Sequence, residues 1–199
     1  MLTLFAAKGT IAIATALLLE ETETPYDLSV VDIGAGEQMS EAYLKINPNA
    51  RVPALVTDHG ILTETGAVLE YVAPPLVPDD PFTAAQVRSI SHYLASTMHV
   101  NHAHNKREHR WADDDGAKAN MTEKVPRTMA ESCAFMETPI KGPYIFGDHI
   151  TIADPHFFTI CQWLAGDGVD VSQFPKVKAF MKTYGARTAA SRVRDKGLL

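Results

Sequence analysis

The chain has 199 residues, enough for one large domain or two small ones. At 46% hydrophobic and 21% charged residues it has an ordinary globular composition, and this argues against a disordered or low-complexity protein. A net charge of −6 argues against general attraction to nucleic acid or to an anionic membrane.

No apolar run approaches the length of a membrane span, and no basic region precedes an apolar core at the N-terminus. Neither a spanning helix nor a signal peptide is therefore expected. Cys133 and Cys161 are far apart, each in an apolar helical stretch. They read as buried, reduced thiols in a cytoplasmic protein.

Met1 to Ala6 is a short apolar strand, and Ala7-Lys8-Gly9-Thr10 is a turn. Gly9 or Thr10 caps a helix from Ile11 to Glu21, which Thr22-Glu23-Thr24-Pro25 breaks. Tyr26 to Val31 is a second strand, and a strand, helix and strand this close imply a right-handed parallel crossover. Gly34 to Glu37 is a loop, and Ser40 to Ile46 is a short helix ending before Asn47-Pro48. Ala54 to Val56 and Ile61-Leu62 are two strands around the turn Asp58-His59-Gly60. Thr63 and Thr65 are candidate caps of a helix through Val68, Leu69 and Val72. The order is β-α-β-α-β-β-α.

Ala73 to Asp80 holds Pro74, Pro75 and Pro78 and reads as a linker. The expected organisation is a first domain over 1–73, a linker over 74–80 and an all-helical domain over 81–199. Pro81 suits a first helical position. Val87, Ile90, Leu94 and Met98 follow at spacings of 3, 4 and 4, the stripe of one long amphipathic helix. The polar run from Trp111 to Gly116 ends it. A second helix spans Ala117 to Glu137, with Pro126 expected to kink it or to mark its start. Thr151 with Asp154 is an acid variant of the capping box before a helix through Leu164. Two further helices are expected over Gln173 to Tyr184 and Arg187 to Lys196.

Chemistry concentrates around Arg51-Val52-Pro53 and Thr63-Glu64-Thr65. Pro53 cannot donate to a sheet, so it belongs at a strand start or a special turn. With a cis bond before it, Val52 would turn its N–H and C=O outward, free for a ligand. The N–H groups at the start of the following helix favour an anion, and Glu64 beside them can hold a cation. A ligand bearing both an ammonium and a carboxylate fits, as does the γ-glutamyl end of glutathione.

Val-Pro-Ala-Leu, then a short turn, then Thr-Glu-Thr-x-Ala-Val resembles the cytosolic glutathione transferase family, and the resemblance runs over nearly the whole chain. It implies an α/β thioredoxin-like domain followed by an all-α helical bundle. It also implies a cytoplasmic homodimer acting in detoxification, with glutathione as co-substrate, a small hydrophobic electrophile as partner, and no metal, nucleic acid or membrane. By the same resemblance Val52 pairs with the cysteinyl backbone beside the cis-proline Pro53. Glu64 takes the ammonium and Thr65 the carboxylate of the γ-glutamyl group, while Arg51 is a candidate for the glycyl carboxylate or a solvated surface residue. The lysine that the bacterial, cysteine-bearing class often carries after the second strand is missing from Gly34-Ala35-Gly36. His99 matches a cleft-lining histidine, and Ser96 with His92 points toward a partner subunit's glutathione. Zinc bound by His99, His102, His104 and His109 is the less favoured reading, against a polar cleft wall or a solvated face.

Catalysis is where the chain departs from the family. The thiolate is the nucleophile, and a free thiol with pKa about 8.5 is mostly inert at neutral pH. Leu4 or Phe5 stands at the family's tyrosine position, and Thr10-Ile11-Ala12 at its serine or cysteine position. Thr10 is the only hydroxyl there. It reads as thiol activator or as helix cap, with Lys8, main-chain N–H groups of Thr10 to Ala12, or the helical domain as other donors. Without a cysteine at this turn a glutaredoxin-like exchanger is disfavoured. Two functions stand: a glutathione transferase with Thr10 as catalytic residue, or a glutathione-binding scaffold without activity.

Overall fold

A computed structural model describes residues 1–199. Strands β1 (Leu2–Ala6), β2 (Tyr26–Val30), β3 (Ala54–Thr57) and β4 (Gly60–Leu62) form one sheet in the order β2-β1-β3-β4. β1 runs parallel to β2, with Leu4 opposite Leu28, and antiparallel to β3, with Leu4 opposite Leu55. β3 and β4 are a hairpin, with Leu55 opposite Leu62.

The crossover helix α1 (Ala12–Glu21) is buried from Ala12 to Leu19 without interruption. A helix apolar on every side must be covered on every side. β1, α3 (Thr65–Val72), α7 (Ala153–Cys161) and α9 (Thr188–Asp195) all pack on it. A short helix α2 (Glu41–Leu44) is capped by Ser40, whose Oγ accepts from the Tyr43 N–H at 3.1 Å. These elements give the β-α-β-α-β-β-α order of a thioredoxin-like domain, and the rest of the chain is helical. The core is continuous between the two, from Leu4 and Leu17 to Phe157 and Val193. No helix is long and apolar enough to cross a membrane.

The expected long helix is divided. α4 (Pro81–Tyr93) starts on Asp80, whose Oδ2 accepts from the Thr83 N–H and hydroxyl. A π-helical turn over Leu94–Met98 then leads into α5 (His99–Lys106). The stripe Val87, Ile90, Leu94 and Met98 is still buried, because the wider turn alters phase without moving the helix off the core. α6 (Asp115–Met136) begins earlier than Ala117, capped by Asp114, and runs unbroken through Pro126, which neither starts nor ends it. α7 stops at Cys161 rather than Leu164, giving way to turns up to Gly168, whose φ of +76° suits glycine. α8 (Pro175–Gly185) and α9 complete the bundle. Arg187 ties it to α1, with two nitrogens on the Glu21 carboxylate at 2.5 and 2.7 Å and a third on the Tyr144 hydroxyl.

Asp154 organises the entry to α7. It is fully buried, and its carboxylate accepts from the Ile145 N–H (2.9 Å), the Thr151 N–H (2.6 Å) and the Thr151 hydroxyl (2.9 Å). Burial raises its pKa to about 6, against the pull of those three donors.

His156, two residues on, is fully buried and neither ring nitrogen has a partner. Burial holds its pKa down at about 4. The unfolded chain takes up this proton near pH 6.5, so the neutral imidazole's contribution is intact above that pH and is lost on descent toward pH 4. Urea unfolding at pH 7 and pH 4.5 checks this. Relative to His156→Leu, the wild type is expected to lose roughly 2–3 kcal/mol between the two pH values. An unchanged difference would refute it. The variant comparison removes the contribution of Asp154, which has the opposite sign in this range.

Candidate active site

Strand register brings three chain segments to one end of the sheet. Phe5 lies opposite Ala54, so the end of β1 and the entry to β3, two residues after Val52, fall at the same end of the sheet. Leu55 lies opposite Leu62, so the exit of β4 toward Glu64 and Thr65 falls at that same end.

The first segment is the β1–α1 turn. Gly9 has φ +70°, a conformation that suits glycine. Its N–H donates to the Leu198 C=O (3.1 Å), and its C=O accepts from the Trp163 indole N–H (2.9 Å), so the helical half fixes the turn at both groups. Thr10 is half-buried. Its hydroxyl proton goes to the Ala7 C=O at 2.7 Å, and it does not cap α1. The N-cap is Ile11, without a side-chain hydrogen bond, and the N–H groups of Ile11 and Ala12 have no partner within the chain.

The second segment is the entry to β3. The Arg51 C=O accepts from the Tyr43 hydroxyl and from the buried Asn47 amide, each at 2.7 Å, which fixes the backbone before Val52. The Val52–Pro53 bond is cis. Neither the N–H nor the C=O of Val52 bonds within the chain.

The third is the start of α3. Its N-cap is Glu64, and neither Thr63 nor Thr65 caps it. The expected threonine caps are thereby corrected, and the N–H groups of Thr65, Gly66 and Ala67 are left open. Glu64 has φ +66° and ψ 115°, a backbone state that costs a non-glycine residue roughly 1–3 kcal/mol and is tolerated where function needs it. Its side chain is exposed and unpaired, and the hydroxyl of the buried Thr65 has no protein partner.

The helical half supplies the facing wall. The Trp163 ring stacks on His102 (centroids 4.1 Å) and lies 5.0 Å from His99. His102 Nδ1 meets the buried Asp167 carboxylate at 2.8 Å, and the Asn105 amide donates to the same carboxylate at 3.0 Å. Burial, then Arg107, holds the His99 pKa at about 3, so His99 is neutral. Its Nε2 accepts from the Arg107 guanidinium at 3.1 Å. Burial lowers the pKa of Arg107 and Arg110, and charge repulsion from Arg51 adds to both and, as the smallest contribution, to His99. Ser96 is exposed, and its hydroxyl donates to the His92 C=O within its own helix.

Trp163 and Asp167 carry much of this wall, and sequence reading passed over both. Their partners lie 154 residues away at Gly9 or, for Asp167, 62 and 65 residues away on α5, and no local spacing marks them.

Two family models match the chain: the glutathione S-transferase N-terminal domain over residues 1–74 and the C-terminal domain over residues 67–187. The chain belongs to the glutathione S-transferase family. A solved glutathione transferase homologue from Sulfitobacter, with bound glutathione, superposes with a TM-score of 0.97 at 48% identity, covering 100% of this chain and 99% of that one. Among curated proteins, a probable maleylacetoacetate isomerase of Caenorhabditis elegans is 28% identical over 84% of this chain and 79% of its own. Glutathione S-transferase GstA of Escherichia coli O157:H7 is 27% identical over 92% of both chains. Glutathione-dependent chemistry is therefore the setting in which this transferase-family site is to be read.

Proposed function

We propose that the protein binds glutathione and presents its thiolate to a small hydrophobic electrophile. The observation that carries this is the gathering of open main-chain groups at one end of the sheet: Val52 N–H and C=O, the N–H groups of Ile11 and Ala12, and those opening α3. A tripeptide is the ligand that uses all of them. Its γ-glutamyl carboxylate sits on the α3 N-terminus and the Thr65 hydroxyl, and its ammonium on Glu64. Its cysteinyl amide pairs with Val52 beside Pro53, and Arg51 takes the glycyl carboxylate. The thiolate attacks the electrophile, its sulfur forming the new bond as the leaving group departs. The similarity to an isomerase supports addition and elimination through the same thiolate. His92 and Ser96, exposed on the helical half, are assigned to the contact with a second subunit of a homodimer.

Thiol activation is assigned to the Ile11 and Ala12 N–H groups, because the Thr10 proton is engaged by Ala7. Thr10 contributes as a catalytic residue only if it leaves that carbonyl. Thr10→Val separates the two. A loss in kcat under about three-fold fits the main-chain donors, and a loss of about ten-fold or more fits a hydroxyl–thiolate bond of roughly 1.5–3 kcal/mol.

The rival reading is a glutathione-binding scaffold, favoured by the absence of tyrosine, serine and cysteine at the activating position. Retention on immobilised glutathione together with turnover of an aromatic halide supports the enzyme. Retention without turnover supports the scaffold, and failure to bind refutes both.

A further inference from the structure

Three arginines stand at the cleft without acids. Arg51 precedes Val52, Arg107 follows the last turn of α5, and Arg110 lies in the 3-10 turn after it. No carboxylate comes within 4.0 Å of any of them, although the chain carries a net charge of −6. Elsewhere Arg88, Arg127, Arg187 and Arg192 find acidic partners, and Arg194, which has none, donates to the Gly185 C=O at 2.9 Å.

Arg107 is the informative one. It is half-buried, one terminal nitrogen donates to His99, and its Nε–H is buried with no acceptor. His99 is neutral, so it orients the guanidinium without balancing its charge. The C-terminal end of α5 favours a cation here, which accounts for the charge but leaves the Nε–H unmet. Burial and the neighbouring Arg110 and Arg51 lower the pKa of Arg107, as expected of like charges crowded away from water. The remaining terminal nitrogen, Nη1, also has no partner in the chain and is not closed off as Nε is, and a guanidinium edge matches the two oxygens of a carboxylate.

We propose that Arg107, assisted by Arg110, binds a carboxylate carried by the second substrate, so that the cleft selects acidic electrophiles over neutral ones of the same shape. This deepens the reading in which glutathione lies on Val52, Glu64 and Thr65, with Arg51 left to the glycyl end.

The probes are 3-nitrobenzoate and 3-nitrobenzamide, unreactive and of one shape, titrated calorimetrically into the protein with and without glutathione. The acid is expected to bind at least about ten-fold tighter than the amide, as one charge-assisted hydrogen bond allows. Arg107→Gln should abolish that preference while leaving glutathione binding within about two-fold. Arg110→Gln, at an exposed position, should reduce the preference in the same direction, which guards against misfolding of the Arg107 variant. Arg127→Gln, on the exposed face of α6, should change nothing.

No acid preference in the wild type overturns the proposal. So does an Arg107→Gln variant that weakens glutathione rather than nitrobenzoate, since the carboxylate bound is then the glycyl end. A wild type that prefers the acid but gives no heat with glutathione upholds the arginine site and contradicts the reading of Val52 and Glu64 instead.

Discussion

Asp154→Ala is expected to lower folding stability by about 3–5 kcal/mol, a large share of the roughly 5–15 kcal/mol that holds a typical domain folded. The carboxylate is fully buried and satisfies three donors, two of them main-chain N–H groups. Alanine leaves all three without an acceptor and opens a space in the core. Asp154→Asn should recover only part of the loss, because its amide nitrogen would face the Thr151 or Ile145 N–H. Thr151→Ala removes only the hydroxyl contacts and should cost about 1 kcal/mol. Urea unfolding at pH 7 measures all three. The KM for glutathione of any folded Asp154→Ala protein should stay unchanged, since the residue lies in the core and not at the sheet end. A cost under about 1 kcal/mol would show that Asp154 is no more than a helix cap.

Glu64→Gln and Thr65→Val are each expected to weaken glutathione about ten-fold or more. Each removes one charge-assisted contact, worth roughly 1.5–3 kcal/mol. The glutamine substitution keeps the size of the side chain at a left-handed backbone position and loses the charge that meets the ammonium. The valine substitution keeps the shape at a buried site and loses the hydroxyl. The double variant should fall short of the product of the two effects, because both residues hold the same γ-glutamyl group. Calorimetric titration reads the affinities, and thermal unfolding checks that stability is kept. Binding unchanged in both variants would remove the γ-glutamyl assignment.

The strands and the first helix were legible because glycine, proline and threonine clusters punctuate them and because alternating or continuous apolar runs fill them. Val52, Pro53, Glu64 and Thr65 stand out in the sequence for a related reason: a proline at a strand entry and an acid at a helix start each mark backbone groups that need a partner, and in the fold those of Val52 and of the α3 start find none within the chain. Sequence order alone could not show that strand register would bring them to one place. The π turn was hidden, since the stripe from Val87 to Met98 reads the same through a wider turn. The helix starting at Thr65 was legible, yet its cap was not: threonine is a common cap, and only the folded chain shows that both hydroxyls are spared. At Thr10 the residue was legible and its proton was not, because Ala7 captures it through a turn geometry that no spacing encodes. His99 and His102 do share a face, with rings 6.5 Å apart, but their partners Arg107 and Asp167 give them different roles.

The most direct measurement is a calorimetric comparison of glutathione with cysteinylglycine, which lacks the γ-glutamyl group. If main chain at Val52 grips one side and the Glu64–Thr65 pair the other, glutathione binds and cysteinylglycine binds at least about ten-fold more weakly. Equal affinity for the two peptides, or no binding of glutathione, would contradict the account.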